Sequence, residues 1–232
     1  MLVIITGASK GIGFETVKLF LNNPKYSIIA VSRTTDSLNK LAEKENTINL
    51  IPVKADITNA THVKKVISII KKINMPVAIL INNAGQIVNK TFEKITEKEL
   101  ESVYNTNVFA PFKLIQQLLP FMGKKVKSHI VNISSMGGFQ GSAKFAGLSA
   151  YSSSKAALSG LTECLAEEFK TKNITVNCLA IGAVQTEMLN KAFPDYKAPL
   201  QPKQMATFIY DFAINGHQYY NGKILPVSLS TP

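Results

Sequence analysis

Leu2-Val3-Ile4-Ile5-Thr6-Gly7-Ala8-Ser9-Lys10-Gly11-Ile12-Gly13 decides the fold class. The apolar, β-branched start reads as a buried strand, and glycines at 7, 11 and 13 follow it as a loop. Val17, Phe20 and Leu21 recur at helical spacing, which predicts a helix over 14–21 that Asn22-Asn23-Pro24 stops. Glycine at these positions permits a tight turn and lets backbone N–H groups approach an anion, such as a pyrophosphate, at the positive end of the helix.

Outward from this stretch the same alternation repeats. Strands are expected over 27–32, 48–53, 77–81, 130–133, 174–179 and 222–227, with helices over 38–44, 62–73, 151–169 and 204–214 between them. Thr96-Glu97-Lys98-Glu99 has the capping-box pattern and opens a further helix to about Leu119, with Leu100, Val103, Asn107, Leu114 and Leu118 near one face. Residues 187–202, with Pro194 and Pro199, read as irregular and could form a lid. Strands that are apolar throughout, separated by amphipathic helices, indicate a parallel sheet covered on both faces. The expectation is therefore an α/β chain, one domain over 1–232, with a Rossmann-type doubly wound sheet of about seven strands.

In such sheets ligands sit at the carboxyl ends of the strands. Gly, Asn, Asp and Ser collect there: the glycine loop, Ala55-Asp56-Ile57-Thr58, Asn82-Asn83-Ala84-Gly85 and Ser134-Ser135. Taken alone, Asn82 to Gly85 is equally an ordinary turn. The second strand ends in Arg33, with Lys10 nearby in such a fold and no carboxylate before Asp36, a pattern that favours NADP(H), whose 2′-phosphate needs a basic partner, over NAD.

Tyr151-Ser152-Ser153-Ser154-Lys155 heads a helical run, and residues four apart share a helix face. A phenol, with an unperturbed pKa near ~10, then lies beside a cation that favours its ionised form. In isolation the pair also fits a chance juxtaposition on a surface helix. Asn107 is a polar group on an apolar face, either a satisfied core amide or part of a polar network.

The chain has 232 residues, 46% of them hydrophobic and 18% charged, which excludes a disordered or low-complexity protein. No apolar run approaches the ~20 residues that span a bilayer, and residues 2–5 form a strand-like start without a charged leader, so a cytoplasmic protein without membrane attachment is expected. Cys164 and Cys178 read as buried small hydrophobes, without metal-ligand spacing to His62, His129 or His217, and no metal is expected. The formal charge of +11 comes from lysines scattered along the chain without interleaved aromatics, which argues against nucleic acid while still attracting an anionic cofactor.

In their order, Thr6-Gly7-x-x-x-Gly11-Ile12-Gly13, Asp56, Asn82-Asn83-Ala84-Gly85, Asn107, Ser135, Tyr151-x-x-x-Lys155 and Thr186 resemble the short-chain dehydrogenase/reductase family over nearly the whole chain. The resemblance implies hydride transfer between NADP(H) and a ketone or aldehyde, or a secondary alcohol in reverse. Ser135 would polarise the substrate oxygen, with Ser134 the fallback. Tyr151 would act as general acid, Lys155 would stabilise the tyrosinate and hold the ribose, and Asn107 would hold a water. The implied cofactor-binding set is Gly7, Ser9, Lys10, Gly11, Ile12, Gly13, Arg33, Asp56, Ile57, Asn83, Ala84, Gly85, Tyr151, Lys155, Gly182, Val184 and Thr186. Asp56 would meet the adenine and Thr186 the nicotinamide amide. The alternative is a catalytically silent dinucleotide-binding regulator or scaffold with the same fold.

Three features depart from the family's pattern. Ser135 and Tyr151 are further apart than usual, Ile181-Gly182 stands in place of Pro-Gly, and the end at Asn221-Gly222-Lys223 lacks Asp-Gly-Gly. The last concerns a subunit interface, so a homodimer through the Tyr151 helix is expected, with a tetramer possible.

Overall fold

The computed structural model describes residues 1–229. Strand β1 (Leu2–Thr6) pairs in parallel with β2 (Ser27–Ser32) on one side and β4 (Val77–Asn82) on the other. Outside β2 lies β3 (Leu50–Lys54). Beyond β4 follow β5 (Ser128–Ser135), β6 (Ile174–Ile181) and β7 (Ile224–Val227), giving one seven-stranded sheet in the order β3-β2-β1-β4-β5-β6-β7. Every pairing is parallel. The expected architecture is present, and the order reverses between β1 and β4, where such sheets open a crevice at their carboxyl edge.

The pleat sorts the apolar residues into two cores. Val3 and Ile5 face α1 (Gly11–Leu21), α2 (Asp36–Lys44) and α8 (Pro202–Asn215), packing with Phe20, Leu38 and Ile209. Leu2 and Ile4 face α3 (Ala60–Ile73), α5 (Ala110–Leu118) and α6 (Ser149–Glu168), packing with Ile70, Leu114 and Leu165. Each fully buried side chain of this size contributes ~1.5–3 kcal/mol relative to exposure. No helix among the described residues is long and apolar enough to cross a membrane.

Four local expectations are corrected. Ile48 is 93% exposed and the third strand starts at Leu50, because Asn46 in the left-handed region (φ 43) and a Thr47 hydroxyl that accepts from the Asn49 N–H turn the chain first. The helix from residue 97 is not continuous: α4 (Glu97–Tyr104) passes through a π-helical turn at Asn105–Phe109 before α5. The wider turn places Val103, Asn107, Ala110, Leu114 and Leu118 inward and leaves Leu100 43% exposed. Cys164 is exposed, since the buried stripe of α6 runs through Leu158, Thr162, Leu165 and Ala166; Cys178 is buried as expected. Within 187–202 a short helix α7 (Glu187–Ala192) forms, its first turn capped by the Thr186 hydroxyl, which accepts from the Leu189 N–H.

At the amino-terminal half of the sheet, His129 on β5 is buried with both ring nitrogens bonded. Nδ1 lies 2.9 Å from the Ala213 carbonyl and Nε2 3.1 Å from the Asn177 amide nitrogen. A carbonyl only accepts and an amide NH₂ only donates, so Nδ1 carries the proton and the ring is neutral. Burial holds its pKa down to about 4, aided by the nearby His217 and Lys127. The unfolded chain, at roughly 6.5, then binds more protons than the folded one between these values, so stability is lost as pH falls through that window. Between pH 7 and pH 5 urea unfolding is expected to show wild type losing about 2 kcal/mol more than His129→Gln. Equal losses would exclude His129 as the source.

Candidate active site

The carboxyl ends of β1 and β4 meet without room for side chains. A Cβ on Gly7 would lie 2.8 Å from the Ala84 Cα, and one on Gly13 2.4 Å from the Gly7 carbonyl oxygen. Gly7 and Gly11 also take positive φ (65 and 57), which favours glycine. The Asn83 amide donates to the carbonyls of Thr6 (3.0 Å) and Gly7 (3.2 Å), while the Thr6 hydroxyl accepts from the N–H groups of Asn83 and Ala84, each at 3.1 Å. Asn82 to Ala84 is therefore a brace for the glycine loop and not an ordinary turn. Ile12 packs into the core beneath it. Lys10, at the start of α1, supplies no side-chain cap, and the first turn carries no acidic residue. A concavity that any Cβ would fill, at the positive end of a helix, fits the pyrophosphate of a dinucleotide.

Around it, Ser9 accepts from the hydroxyls of Ser32 (2.7 Å) and Thr34 (3.4 Å), which fixes the loop against the segment that bears Arg33. Arg33 itself is exposed. After β3, Asp56 accepts from the Thr58 N–H and hydroxyl at 2.9 and 2.7 Å, and Ile57 is 8% exposed beside it. Burial raises the Asp56 carboxyl, yet the Thr58 hydrogen bonds, with Arg33 and His62, outweigh it and hold the group below its ordinary value. Gly182 admits no side chain, as a Cβ there would lie 2.2 Å from the Ser228 hydroxyl. Val184 is buried, and Thr186 faces the glycine loop, its Cγ2 3.6 Å from the Cβ position of Gly11.

The expected catalytic side chains converge at the ends of β4 and β5. Tyr151 and Lys155 lie on the first turns of α6, with the Lys155 ammonium 5.9 Å from the Tyr151 ring centre. That ammonium is buried and donates to the Ile133 carbonyl at 2.7 Å. Asn107, fully buried in the π-helical turn, accepts from the Gln86 N–H (2.8 Å) and donates to the Gln86 carbonyl and the Ser154 hydroxyl, both at 2.9 Å. Its oxygen and the Lys155 Nζ each stand 3.5 Å from the Cβ position of Gly85, so the two groups meet beside that glycine. Asn107 thus belongs to a polar network. Successive strand residues point to opposite faces, and this separates the two serines. Ser134 is buried and donates to the Lys155 carbonyl (2.9 Å), whereas Ser135 hydrogen-bonds Tyr151.

Burial dominates the electrostatics here. It raises the Tyr151 phenol above its ordinary value, and the hydrogen bond with Ser135 only partly opposes it. The expectation that Lys155 would pull the phenol down is not met in this state, because the ammonium turns to Ile133. Burial also lowers Lys155 to about 8, with Cys178 acting slightly in the other direction. A buried, perturbed lysine beside a half-buried tyrosine is the sort of arrangement that concentrates at functional sites.

Sequence reasoning missed several supports. Gly138 lets the turn after β5 lie on α6, since a Cβ would come within 2.7 Å of the Lys155 Cβ. Gln86 and Ser154 hold Asn107; neither carried a signal beyond being polar and near a motif. Asn89 donates to the Ala192 carbonyl at 2.7 Å, the Lys90 N–H donates to the Gly147 carbonyl at 3.0 Å, and Lys90 pairs with Glu99 at 2.5 Å. These contacts join the β4 loop, the long loop before α6 and α7 around one mouth. Lys10, expected next to Arg33, instead pairs with Glu187 on α7 at 2.6 Å.

A family model described as short chain dehydrogenase matches residues 1–197. The 3-oxoacyl-[acyl-carrier-protein] reductase of Thermotoga maritima is 28% identical over 237 aligned positions, covering 97% of this chain and 94% of its own. Among solved structures, 4-hydroxyisoleucine dehydrogenase with NADH and succinate superimposes at a TM-score of 0.83 with 26% identity, covering 97% of each chain. A tyrosine-to-phenylalanine variant of ElxO with NADPH bound gives 0.85 and 27%, covering 98% of this chain and 96% of its own.

Keeping the Lys155 ammonium out of water opposes folding. Its folded value of about 8 lies below the unfolded ~10.4, so the penalty is complete below pH 8 and fades as pH rises toward the unfolded value. Lys155→Met removes a penalty of about 3 kcal/mol at pH 7 and loses a hydrogen bond worth about 1. Urea unfolding is expected to find this variant more stable by about 2 kcal/mol at pH 7, with the difference gone by pH 10. A variant less stable than wild type at pH 7 would show that the ammonium stabilises the fold.

Proposed function

The chain belongs to the short chain dehydrogenase family, and on that premise we propose that it is an NADPH-dependent carbonyl reductase, working on small or medium ketones or aldehydes and able to run in reverse on secondary alcohols. The observation that carries this reading is the convergence of Ser135, Tyr151, Lys155 and Asn107 at the sheet edge beside the glycine loop. Supporting NADP(H) are the exposed Arg33 after β2, Lys10 in the glycine loop and the net charge of +11. It would be held by the loop from Gly7 to Gly13, by Asp56 and Ile57, by Asn83 to Gly85, and by Gly182, Val184 and Thr186.

The nicotinamide, when bound, supplies the hydride; the chain's own residues handle the proton and the charge. Ser135 hydrogen-bonds the substrate carbonyl oxygen, on which negative charge develops during reduction. Tyr151 donates its phenolic proton to that oxygen. Its raised pKa keeps it protonated at neutral pH, the state from which a general acid must start. Lys155 steadies the tyrosinate that remains and holds the ribose hydroxyls. Asn107, already satisfied by Gln86 and Ser154, fixes the polar neighbourhood through which the phenol recovers its proton.

We further propose a cytoplasmic homodimer that pairs through the Tyr151 helix. Supporting the dimer, Phe109 and Phe112 remain 47% and 43% exposed on the helical arm beside α6.

The test follows NADPH absorbance with a panel of ketones, aldehydes and quinones, together with NADPH titration. Tyr151→Phe is expected to lower kcat by about 10²–10⁴-fold while leaving NADPH affinity within a few-fold of wild type. Unchanged turnover would remove the phenol from the mechanism. NADPH binding without oxidation by any substrate would favour a silent dinucleotide-binding regulator instead.

A further inference from the structure

Lys10 is one ammonium with two candidate partners. Its neighbour Ser9 is tied to Ser32 and Thr34, the residues flanking Arg33, so the backbone at position 10 borders the site proposed for a 2′-phosphate. Its side chain nevertheless pairs with the Glu187 carboxylate at 2.6 Å. Glu187 opens α7 directly after Thr186, which stands against Gly11, so the pair ties the glycine loop to α7. Glu187 is doubly held, since its other oxygen pairs with Lys191 one turn later at 2.6 Å. Nothing in the family pattern read from the sequence assigned it a role.

We propose that Glu187 is a specificity-determining residue, an internal anion that competes with the cofactor's 2′-phosphate for Lys10 and so sets how strongly NADPH is preferred over NADH. The inference rests on the nicotinamide-dinucleotide reading above. With NADH, which lacks the 2′-phosphate, Lys10 stays on Glu187 and the clasp between the glycine loop and α7 remains shut. With NADPH, Lys10 leaves the carboxylate for the phosphate, and the broken pair is subtracted from the affinity gained. Both partners are well exposed, 65% and 50%, so the competition is modest and screened by salt. Lys191 keeps Glu187 neutralised after Lys10 departs, which makes the exchange easier.

The experiment is fluorescence titration of NADPH and of NADH into wild type, Glu187→Gln, Lys10→Met and the double variant, at low and high salt. Glu187→Gln is expected to raise the ratio of NADPH to NADH affinity by about 2–5-fold at low salt, less at high salt. In the Lys10→Met background the same substitution should shift the ratio clearly less, because the competition has lost its object and only the general field remains. Removing a negative charge also favours NADPH through the general field, but that effect would persist without Lys10. An equal ratio shift in both backgrounds, or no shift in either, would overturn the competition while leaving the cofactor reading intact. Failure of wild type to bind NADPH or NADH would remove that reading and this inference together.

Discussion

Backbone packed on backbone, where β1 and β4 end, is the constraint on which the rest of the structure depends. Gly7 lies against Ala84, and Gly13 against Gly7, at separations that no Cβ can share. The sheet order reverses between these two strands, so helices leave to opposite faces and a crevice must open there. Thr6 and Asn83 convert the crevice into a defined shape by satisfying the backbone groups that a tight loop would otherwise leave exposed to competition from water. The concavity is thus held by the same contacts that hold the sheet together.

The neighbouring polar cluster works by a different principle. Asn107 and Ser154 sit in a fully packed region and are saturated by one another and by Gln86, which lets amides and hydroxyls be buried without penalty. Lys155 is not so well served: its ammonium donates to the Ile133 carbonyl, and burial lowers its pKa to about 8. A lysine in this position is poorly explained by stability, since an apolar residue of similar length would fill the space. A residue that breaks a local rule in this way is a candidate for a functional role.

Most of the architecture was legible because the signals were redundant. Apolar strands, amphipathic helices and punctuating glycines each indicated a doubly wound parallel sheet, and the sheet is there. The exceptions share a cause: tertiary packing decided between local alternatives of similar energy. The π-helical turn at Asn105–Phe109 has no composition of its own, and an ordinary helix fits the same residues until Asn107 must meet Gln86. Cys164 and Leu100 look like core residues by type, but helix phase carries them outward. At the site, spacing placed Tyr151 and Lys155 on one face, yet it could not reveal where the ammonium points, because four rotatable bonds separate it from the backbone. Residue type left Ser134 and Ser135 equivalent, whereas the pleat turns one hydroxyl under α6 and the other toward Tyr151.

The segment expected to be an irregular lid is the clearest case of structure adding what residue type withheld. Thr186 caps a helix of only six residues, about 9 Å long. Its first residue, Glu187, holds Lys10 of the glycine loop, and its last, Ala192, accepts from Asn89 of the β4 loop. Asn89 in turn lies against Gly147, where a Cβ would come within 2.1 Å of its side-chain oxygen and where φ is +85, so only glycine fits. Through Gly147 the contact reaches the long loop between Ser135 and Tyr151. The glycine loop and the loop before α6 are therefore joined through a single short helix and one glycine-dependent contact. The extra residues of that loop are not a free insertion: Gly147 anchors them to the β4 loop through Asn89 and Lys90.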